Sequence, residues 1–178
     1  MATGNSTKLK ILLAAAEVTT ASGAGHLTLD RVAEVAAISK GGLLYHYPNK
    51  RALLQGMLNL LIERFGDRVA AHQRDATRKT RPVARSLVLA EAEQDEAERA
   101  MQQALLAAVA EDPELLDPAR SMIRTLLADA RSEGPDSLVL LLATEGLRFL
   151  DVLGLLPDGP NDRQHLVALL CQAAEARP

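Results

Sequence analysis

The sequence predicts an all-α fold of about nine helices, and three observations lead to this prediction. Aromatic residues make up only 2% of the chain, and its apolar content is mainly Leu, Ala and Val. Leu and Ala favour helices, whereas the aromatic residues that suit strands are scarce. Apolar residues recur three and four positions apart, and no stretch alternates with the period of two that a strand requires. Proline and glycine separate these periodic segments.

Three short helices are predicted before residue 50, each with its own start or stop signal. The glycine-rich stretch 22–25 ends the first helix, and Thr28 and Ser39 are good N-caps for the second and third. Pro48 disfavours helical geometry in the residue before it, so the third helix stops near Tyr47. The three predicted spans are Lys8–Ser22, Leu29–Ala36 and Lys40–Tyr47.

A long fourth helix and five further helices are predicted after residue 50. Asn49 caps the fourth helix, which meets no proline until Pro82. Breakers at Pro113, Pro135 and the stretch 157–160 separate the later helices. The predicted spans are Lys50–Arg78, Val83–Ala92, Ala97–Ala110, Glu114–Ser132, Ser137–Leu156 and Arg163–Ala176.

The charge of the chain is uneven. The net charge of -3 by itself argues mildly against nucleic-acid binding. Residues 1–51, however, contain six Lys or Arg and three Asp or Glu, which gives +3 and leaves -6 for the rest of the chain. A basic amino-terminal third on an acidic remainder indicates that a polyanion docks at one end.

Several classes of protein are excluded by what the sequence lacks. The single cysteine, Cys171, cannot form an intrachain disulfide, and no Cys/His spacing indicates a metal site. The most apolar stretch, Leu138–Leu156, contains Glu145, Arg148 and Asp151, so it does not read as a membrane span. No phosphate-binding loop, paired catalytic carboxylates or nucleophile with a base is recognisable. We therefore expect a soluble cytoplasmic protein that is not an enzyme and needs no cofactor.

The second and third predicted helices have the shape that inserts one helix into the major groove of DNA. They are short, are joined by a tight turn, and have the small Ala33 where they would cross. Two adjacent glycines cost a helix about 1 kcal/mol each relative to Ala, so Gly41 and Gly42 indicate close backbone approach to a bulky partner. The third helix packs through Ile38, Leu43 and Tyr47 and leaves Lys40, Gly41, Gly42, Tyr45 and His46 outward.

The run from Thr28 to Leu53 resembles the helix-turn-helix signature of the tetracycline-repressor (TetR) family. The matching places are Val32-Ala33, Ala36-Ala37-Ile38-Ser39, Lys40-Gly41, Tyr45-His46-Tyr47 and Asn49-Lys50. The resemblance implies a DNA-binding domain over residues 1–50 and a larger helical ligand-binding and dimerisation domain over residues 51–178.

The resemblance also implies a role for each outward residue. Thr28, Tyr45, His46 and Lys50 are expected to hold phosphates, and Lys40, Gly41 and Gly42 to face the groove floor. Ser39 begins a helix, where free N–H groups also favour a phosphate.

The chain departs from the family pattern at three places. The first helix lacks the usual aromatic residue before its glycine and has Val18 and Thr19 there. Leu44 stands where the family often has the first of two tyrosines, so one phosphate contact is missing. Ala37 replaces the usual turn glycine, which means either a strained turn or a turn without a positive φ.

The resemblance further implies that the last two helices pair with a second subunit. The predicted helix over residues 137–156 supports this independently, because it is apolar on more than one side and too hydrophobic to coat a monomer. The expected dimer interface comprises Leu142, Leu147, Phe149, Leu150, Leu153, Leu166, Leu169 and Leu170.

An effector pocket is expected among the fourth to eighth helices. Its candidate residues are polar or adaptable side chains within apolar stretches, and with so few aromatic residues we expect a small apolar effector. Two alternatives remain open at this point, because Glu145 and Arg148 can simply pair with each other and His72 can be a solvated helix residue. The candidates are Met57, Phe65, His72, Met101, Gln102, Met122, Thr144, Glu145 and Arg148.

Together these features predict a ligand-responsive repressor. It is expected to bind a pseudo-palindromic operator in double-stranded DNA as a homodimer and to be released by its effector. The alternative is an architectural DNA-binding dimer that tolerates any sequence and has no effector.

Overall fold

The structure confirms the all-α fold. The computed structural model describes residues 2–75, 81–157 and 160–175, and over these residues it contains nine α-helices and no strand. None of the helices in the described ranges is both long enough and apolar enough to cross a membrane. The helices are α1 (Ala2–Ser22), α2 (Leu29–Val35), α3 (Lys40–His46), α4 (Lys50–Asp75), α5 (Pro82–Ala92), α6 (Glu96–Val109), α7 (Asp117–Glu133), α8 (Pro135–Val152) and α9 (Pro160–Glu175). Two short 3-10 segments are Ala24–His26 and Pro113–Leu116.

All three predicted N-caps near the amino terminus are confirmed. The side-chain oxygens of Thr28, Ser39 and Asn49 each accept a hydrogen bond from the backbone N–H three residues further on, at 3.3, 3.0 and 2.8 Å. A cap of this kind stabilises its helix by about 1 kcal/mol. The starts of α2, α3 and α4 are therefore fixed by local sequence.

Most helix bounds differ from the predicted ones by one to three residues, and the largest differences are at the start of α1 and the end of α8. Helix α1 begins at Ala2 rather than Lys8, and the segment predicted from Glu114 divides into a 3-10 segment and α7. Helix α8 ends at Val152 because Gly154 adopts a φ of +65°, and the N–H of Leu155 donates to the Leu150 carbonyl at 2.9 Å. This left-handed glycine is a common way for a helix to end. The predicted ends of the fourth and ninth helices, at Arg78 and Ala176, lie outside the described residues.

The chain divides into two compact units. The first unit comprises residues 1–61 and 95–119, and the second comprises residues 62–94 and 120–178. Helix α4 therefore contributes to both, whereas α6 belongs to the first unit with α1, α2 and α3.

The first unit is built on α1, which packs against α2 and α6. A close contact joins α3 to α4, since the Tyr47 ring covers Gly56 so tightly that a Cβ there would lie 2.6 Å from Tyr47 Cε1. Glycine at this position therefore lets the tyrosine pack against the helix. The largest fully buried apolar side chains of the unit are Ile11, Leu27, Val32, Leu43, Leu53, Met57, Met101 and Leu115.

In the second unit, α5, α8 and α9 all pack against one another. One buried cluster also includes α4 and α7, through Val69 and Ala130. A second cluster joins α5, α8 and α9 through Ala84, Leu140 and Ala174. These contacts hold the helices that carry the expected dimer interface.

Candidate nucleic-acid interface

The turn between α2 and α3 contains a strained residue. Ala37 adopts a φ of +47°. Its N–H donates to the Glu34 carbonyl at 3.0 Å, and the N–H of Ile38 donates to the Ala33 carbonyl at 3.1 Å. A left-handed alanine costs about 1 to 2 kcal/mol. Of the two alternatives left open for Ala37, the structure therefore shows the strained turn.

Helix α3 has a buried side and an outward side. Leu43 is fully buried and Tyr47 is 8% exposed, whereas the Tyr45 side chain is 85% exposed. Lys40 and Gly41 are also exposed, and His46 is half-buried. The short helix is thus held by its own core and presents one complete side outward.

The outward aromatic side chains of α3 contact each other. The Tyr45 and His46 rings meet edge to face, with centroids 5.1 Å apart and an interplanar angle of 78°. This contact limits the orientations of a phenol hydroxyl and an imidazole, both of which can donate hydrogen bonds to phosphate.

The two glycines of α3 have different surroundings. A Cβ on Gly41 would meet nothing within 4 Å, whereas a Cβ on Gly42 would lie 3.2 Å from the Ser39 Oγ that caps the helix. The fold itself gives Gly42 a reason to be small. It gives none for Gly41, so the absence of a side chain there leaves room for something outside the chain.

Acidic residues accompany the basic ones on this surface. Lys40 Nζ lies 2.7 Å from Asp30 Oδ1, and both side chains are exposed. Lys50, the first residue of α4, is exposed and forms no ion pair with any residue that the structure describes. Sequence reasoning assigned the two lysines but missed Asp30, which lies ten positions before Lys40 and carries no local signal for this pairing.

Helix α4 is tied to the segment after α6 within the first unit. Arg51 donates hydrogen bonds to Asp112 and Glu114, and the bond from Arg51 lowers the pKa of the Asp112 carboxyl. A cavity of about 320 Å³ adjoins this pair. It shares no residue with the predicted effector pocket, and its lining includes Lys50, Leu54, Ala104, Ala108, Glu111 and Leu115.

The predicted effector residues are divided between the two units. The first unit contains Met57 of α4, which is fully buried, and Met101 and Gln102 of α6. The second unit contains Phe65, His72, Met122, Thr144, Glu145 and Arg148.

Local partners account for four of the effector candidates in the second unit. His72 Nε2 lies 2.9 Å from Glu93 Oε1, and Arg148 pairs with Glu145, as the alternative interpretation of that pair expects. Thr144, a buried candidate on α8, also has a local partner, because its Oγ1 donates a hydrogen bond to the Leu140 carbonyl at 2.8 Å.

Most residues of the expected dimer interface are exposed. Leu142 and Phe149 are 62% and 56% exposed, whereas Leu147 is only 5% exposed and lies in the core. Leu170 is half-buried against the second cluster of the second unit. Val139 and Leu155, which lie in the same predicted helix but are not among the eight expected interface residues, are exposed as well. We call the following residues the exposed apolar set: Val139, Leu142, Phe149, Leu150, Leu153, Leu155, Leu166 and Leu169.

Several solved structures share this fold. A transcriptional regulator from Rhodococcus sp. Rha1 matches with a TM-score of 0.69 and 18% identity, covering 96% of this chain and 99% of its own. A TetR-family regulator described as putative, from Rhodococcus sp., matches with a TM-score of 0.67 and 21% identity, covering 96% and 100%. The multidrug binding protein EbrR, complexed with imidazole, matches with a TM-score of 0.60 and 24% identity, covering 95% and 90%. No curated protein sequence matches the chain significantly.

Two family models match successive parts of the chain. The model for bacterial regulatory proteins of the tetR family matches residues 11–57, which contain the turn and α3. The model for the tetracyclin repressor-like C-terminal domain matches residues 78–175, more than half of the 178 residues. Family members are DNA-binding regulators rather than enzymes. The chain therefore belongs to the TetR family of transcriptional regulators.

Proposed function

We propose that this regulator is a ligand-responsive repressor of the cytoplasm. It binds a pseudo-palindromic operator in double-stranded DNA as a homodimer, and a small apolar effector releases it. In this proposal residues 1–50 form the DNA-binding domain, and residues 51–178 bind the effector and form the dimer. The observation that carries the proposal is the outward side of α3, where Tyr45 is 85% exposed beside the fully buried Leu43.

The proposed DNA contacts divide into two kinds. Thr28, Tyr45, His46 and Lys50 hold phosphates, as does the N-terminus of α3 at Ser39. These contacts fix the register of the protein without choosing a sequence. Lys40, Gly41 and Gly42 face the base edges, where a lysine can donate to guanine acceptors.

The exposed apolar set supports the homodimer. Monomeric soluble proteins rarely leave so many large apolar side chains exposed on neighbouring helices, and α8 and α9 pack against each other in the second unit. A twofold dimer places two copies of α3 on successive turns of DNA, which is the reason for expecting a pseudo-palindrome.

The effector is proposed to bind among the aliphatic side chains of the second unit, whose core contains no aromatic residue other than the partly buried Phe65 in the described clusters. The complex of EbrR with imidazole supports ligand binding by this fold. An effector that binds the operator-free conformer more tightly weakens DNA binding, and DNA weakens effector binding by the same factor.

Selection of bound sequences from random DNA duplexes tests the operator. The expected result is a pseudo-palindrome bound roughly a thousandfold or more tightly than random DNA. Equal binding to all duplexes would instead support the architectural alternative, and no binding at low salt would contradict both.

The substitution Gly41→Ala tests the assigned face of α3. Alanine at this open position is expected to stabilise the helix by about 1 kcal/mol while it lowers operator affinity at least tenfold, because the methyl group blocks backbone approach. Gly66→Ala in α4 is the matched control, since a Cβ at Gly66 also meets nothing within 4 Å. It should raise thermal stability and leave operator affinity unchanged. Undiminished operator binding by Gly41→Ala would refute the assignment.

A further inference from the structure

A buried cluster of charged side chains joins three helices of the second unit. Glu91, near the end of α5, is only 3% exposed. Arg163 of α9 donates from Nη2 to the Glu91 carbonyl oxygen at 2.7 Å, and the same atom lies 3.6 Å from Glu91 Oε1. Arg163 Nε lies 3.0 Å from Asp151 Oδ2 of α8. One guanidinium thus lies between acids of two other helices.

The cluster contains more acid than base. Arg148 and Glu145 of α8 pair with each other, and both charges act on the Glu91 carboxyl. The carboxyl groups of Glu91, Glu145 and Asp151 therefore share two guanidiniums. A buried carboxylate without full compensation is costly, because it has lost its hydration.

Two oxygens of the cluster are buried without a well-formed hydrogen bond. Glu91 Oε1 and Asp151 Oδ2 are buried, and neither accepts a hydrogen bond, although both lie beside Arg163. Among the described residues, no group of three or more His, Cys, Asp or Glu side chains is placed so that it could hold a metal ion. A proton on one of the three carboxyls would remove one of the excess negative charges from this buried cluster.

Glu91 is the acid whose surroundings favour that proton. Burial raises the pKa of Glu91 from 4.5 to about 7, even though Arg148 and Arg163 both act to lower it. The negative charges of Glu145 and Asp151 also raise the pKa of Glu91.

We propose that Glu91 is a proton-operated switch, in which proton uptake tightens the packing of α5 against α8 and α9. Six of the eight residues of the exposed apolar set lie on these two helices. The second part of the proposal is therefore that the dimer is tighter in slightly acidic than in slightly alkaline solution. This second part rests on the proposed homodimer, whereas the first part does not.

The groups that face this end of α5 come from three helices. Helix α8 contributes Glu145, Arg148 and Asp151, and α9 contributes Arg163. From α4, Arg68 Nε donates to the Ala90 carbonyl at 3.0 Å, and His72 lies beside Glu93. Because His72 is a histidine beside this cluster, the experiment includes its own control for it.

The sign of the expected pH dependence follows from the raised pKa. The folded chain holds the Glu91 proton more tightly than the unfolded chain, in which the pKa is near 4.5. The stabilisation is therefore complete below pH 4.5 and is lost as the pH rises through about 7.

Thermal unfolding of the wild type and Glu91→Gln at pH 6 and pH 8 tests the first part. Between these pH values the wild type is expected to lose about 4 °C more in Tm than Glu91→Gln, which corresponds to about a tenfold change in the folding constant. Glu63→Gln, an exposed control on α4 of the same unit, and His72→Gln should both keep the wild-type difference. Equal loss in the wild type and Glu91→Gln would overturn the proposal.

A direct titration keeps the test valid if Glu91→Gln fails to fold. The 13C shift of the Glu91 carboxyl in the wild-type protein should titrate with a midpoint near 7. A midpoint below about 5.5, within roughly one unit of an ordinary glutamate, would overturn the proposal. The thermal unfolding and the titration do not involve DNA, so their results are independent of the operator selection.

Sedimentation at pH 6 and pH 8 tests the link to the dimer. The dimer dissociation constant of the wild type should rise several-fold from pH 6 to pH 8, and that of Glu91→Gln should stay constant. A wild-type dimer that is equally tight at both pH values would overturn the second part. A chain that is monomeric at both would instead contradict the proposed homodimer.

Discussion

The outward side of α3 and the exposed apolar set are two surfaces of opposite chemistry. The first presents Tyr45, Lys40 and a glycine on a seven-residue helix whose inner side is fully buried. The second presents large aliphatic side chains and Phe149 on α8, on α9 and just after the end of α8. A polar surface with exposed donors gains most from an anionic partner that accepts hydrogen bonds from them. An apolar surface gains most from simple burial. Binding to DNA and binding to a second copy of the chain are therefore weakened by different kinds of substitution.

The largest expected effect is on the apolar surface. Leu142→Glu introduces a charge into the proposed interface twice, once from each subunit, and should raise the dimer dissociation constant at least a hundredfold. Leu13→Glu on α1 is the control, because Leu13 is also an exposed leucine but lies in the first unit. Sedimentation equilibrium measures both. A Leu142→Glu dimer as tight as the wild type would show that the exposed apolar set is not the interface.

A smaller effect is expected where α3 is held in place. Gly56→Ala puts a methyl group 2.6 Å from Tyr47 Cε1 and should lower the free energy of unfolding by about 2 kcal/mol, as overpacking does elsewhere. Urea unfolding measures the loss.

The double variant Gly56→Ala with Tyr47→Leu identifies the cause of that loss. Leucine lacks the ring edge that meets the new methyl group, so adding Gly56→Ala to Tyr47→Leu should cost much less than adding it to the wild type. Equal costs in both backgrounds would mean that the destabilisation does not come from the tyrosine ring.

The same two surfaces show what could be predicted from the sequence. The start of α3 was predictable because a cap, a proline and the apolar spacing all act within a few residues of Ser39. Which leucines of α8 are buried was not predictable, because Leu142 and Leu147 are both leucines of one apolar helix. Only contacts with distant helices bury Leu147 and leave Leu142 exposed.

Long-range pairs were missed for the same physical reason. Glu91 and Arg163 are 72 positions apart, and neither lies in a motif that indicates the other. The strain at Ala37, in contrast, was foreseen as one of two alternatives, because the family pattern places a glycine there.

The smallest expected effect concerns that strained turn. Ala37→Gly removes the cost of a left-handed alanine but makes the unfolded chain more flexible, so the net gain in unfolding free energy should be about 0.5 to 1 kcal/mol. Ala36→Gly is the matched control, since Ala36 has an ordinary φ of -68° and a buried side chain. It should lose about 1 kcal/mol.

Operator binding by Ala37→Gly distinguishes two reasons for the strained alanine. If the alanine holds α3 at a fixed angle to α2, the more stable glycine variant should bind operator less tightly, since it spends part of its time in other turn conformations. If the strain serves no purpose in binding, stability rises and affinity stays the same. A rise in both would show that the alanine distorts the reading surface, because relief of strain would then bring α3 closer to the geometry that DNA requires.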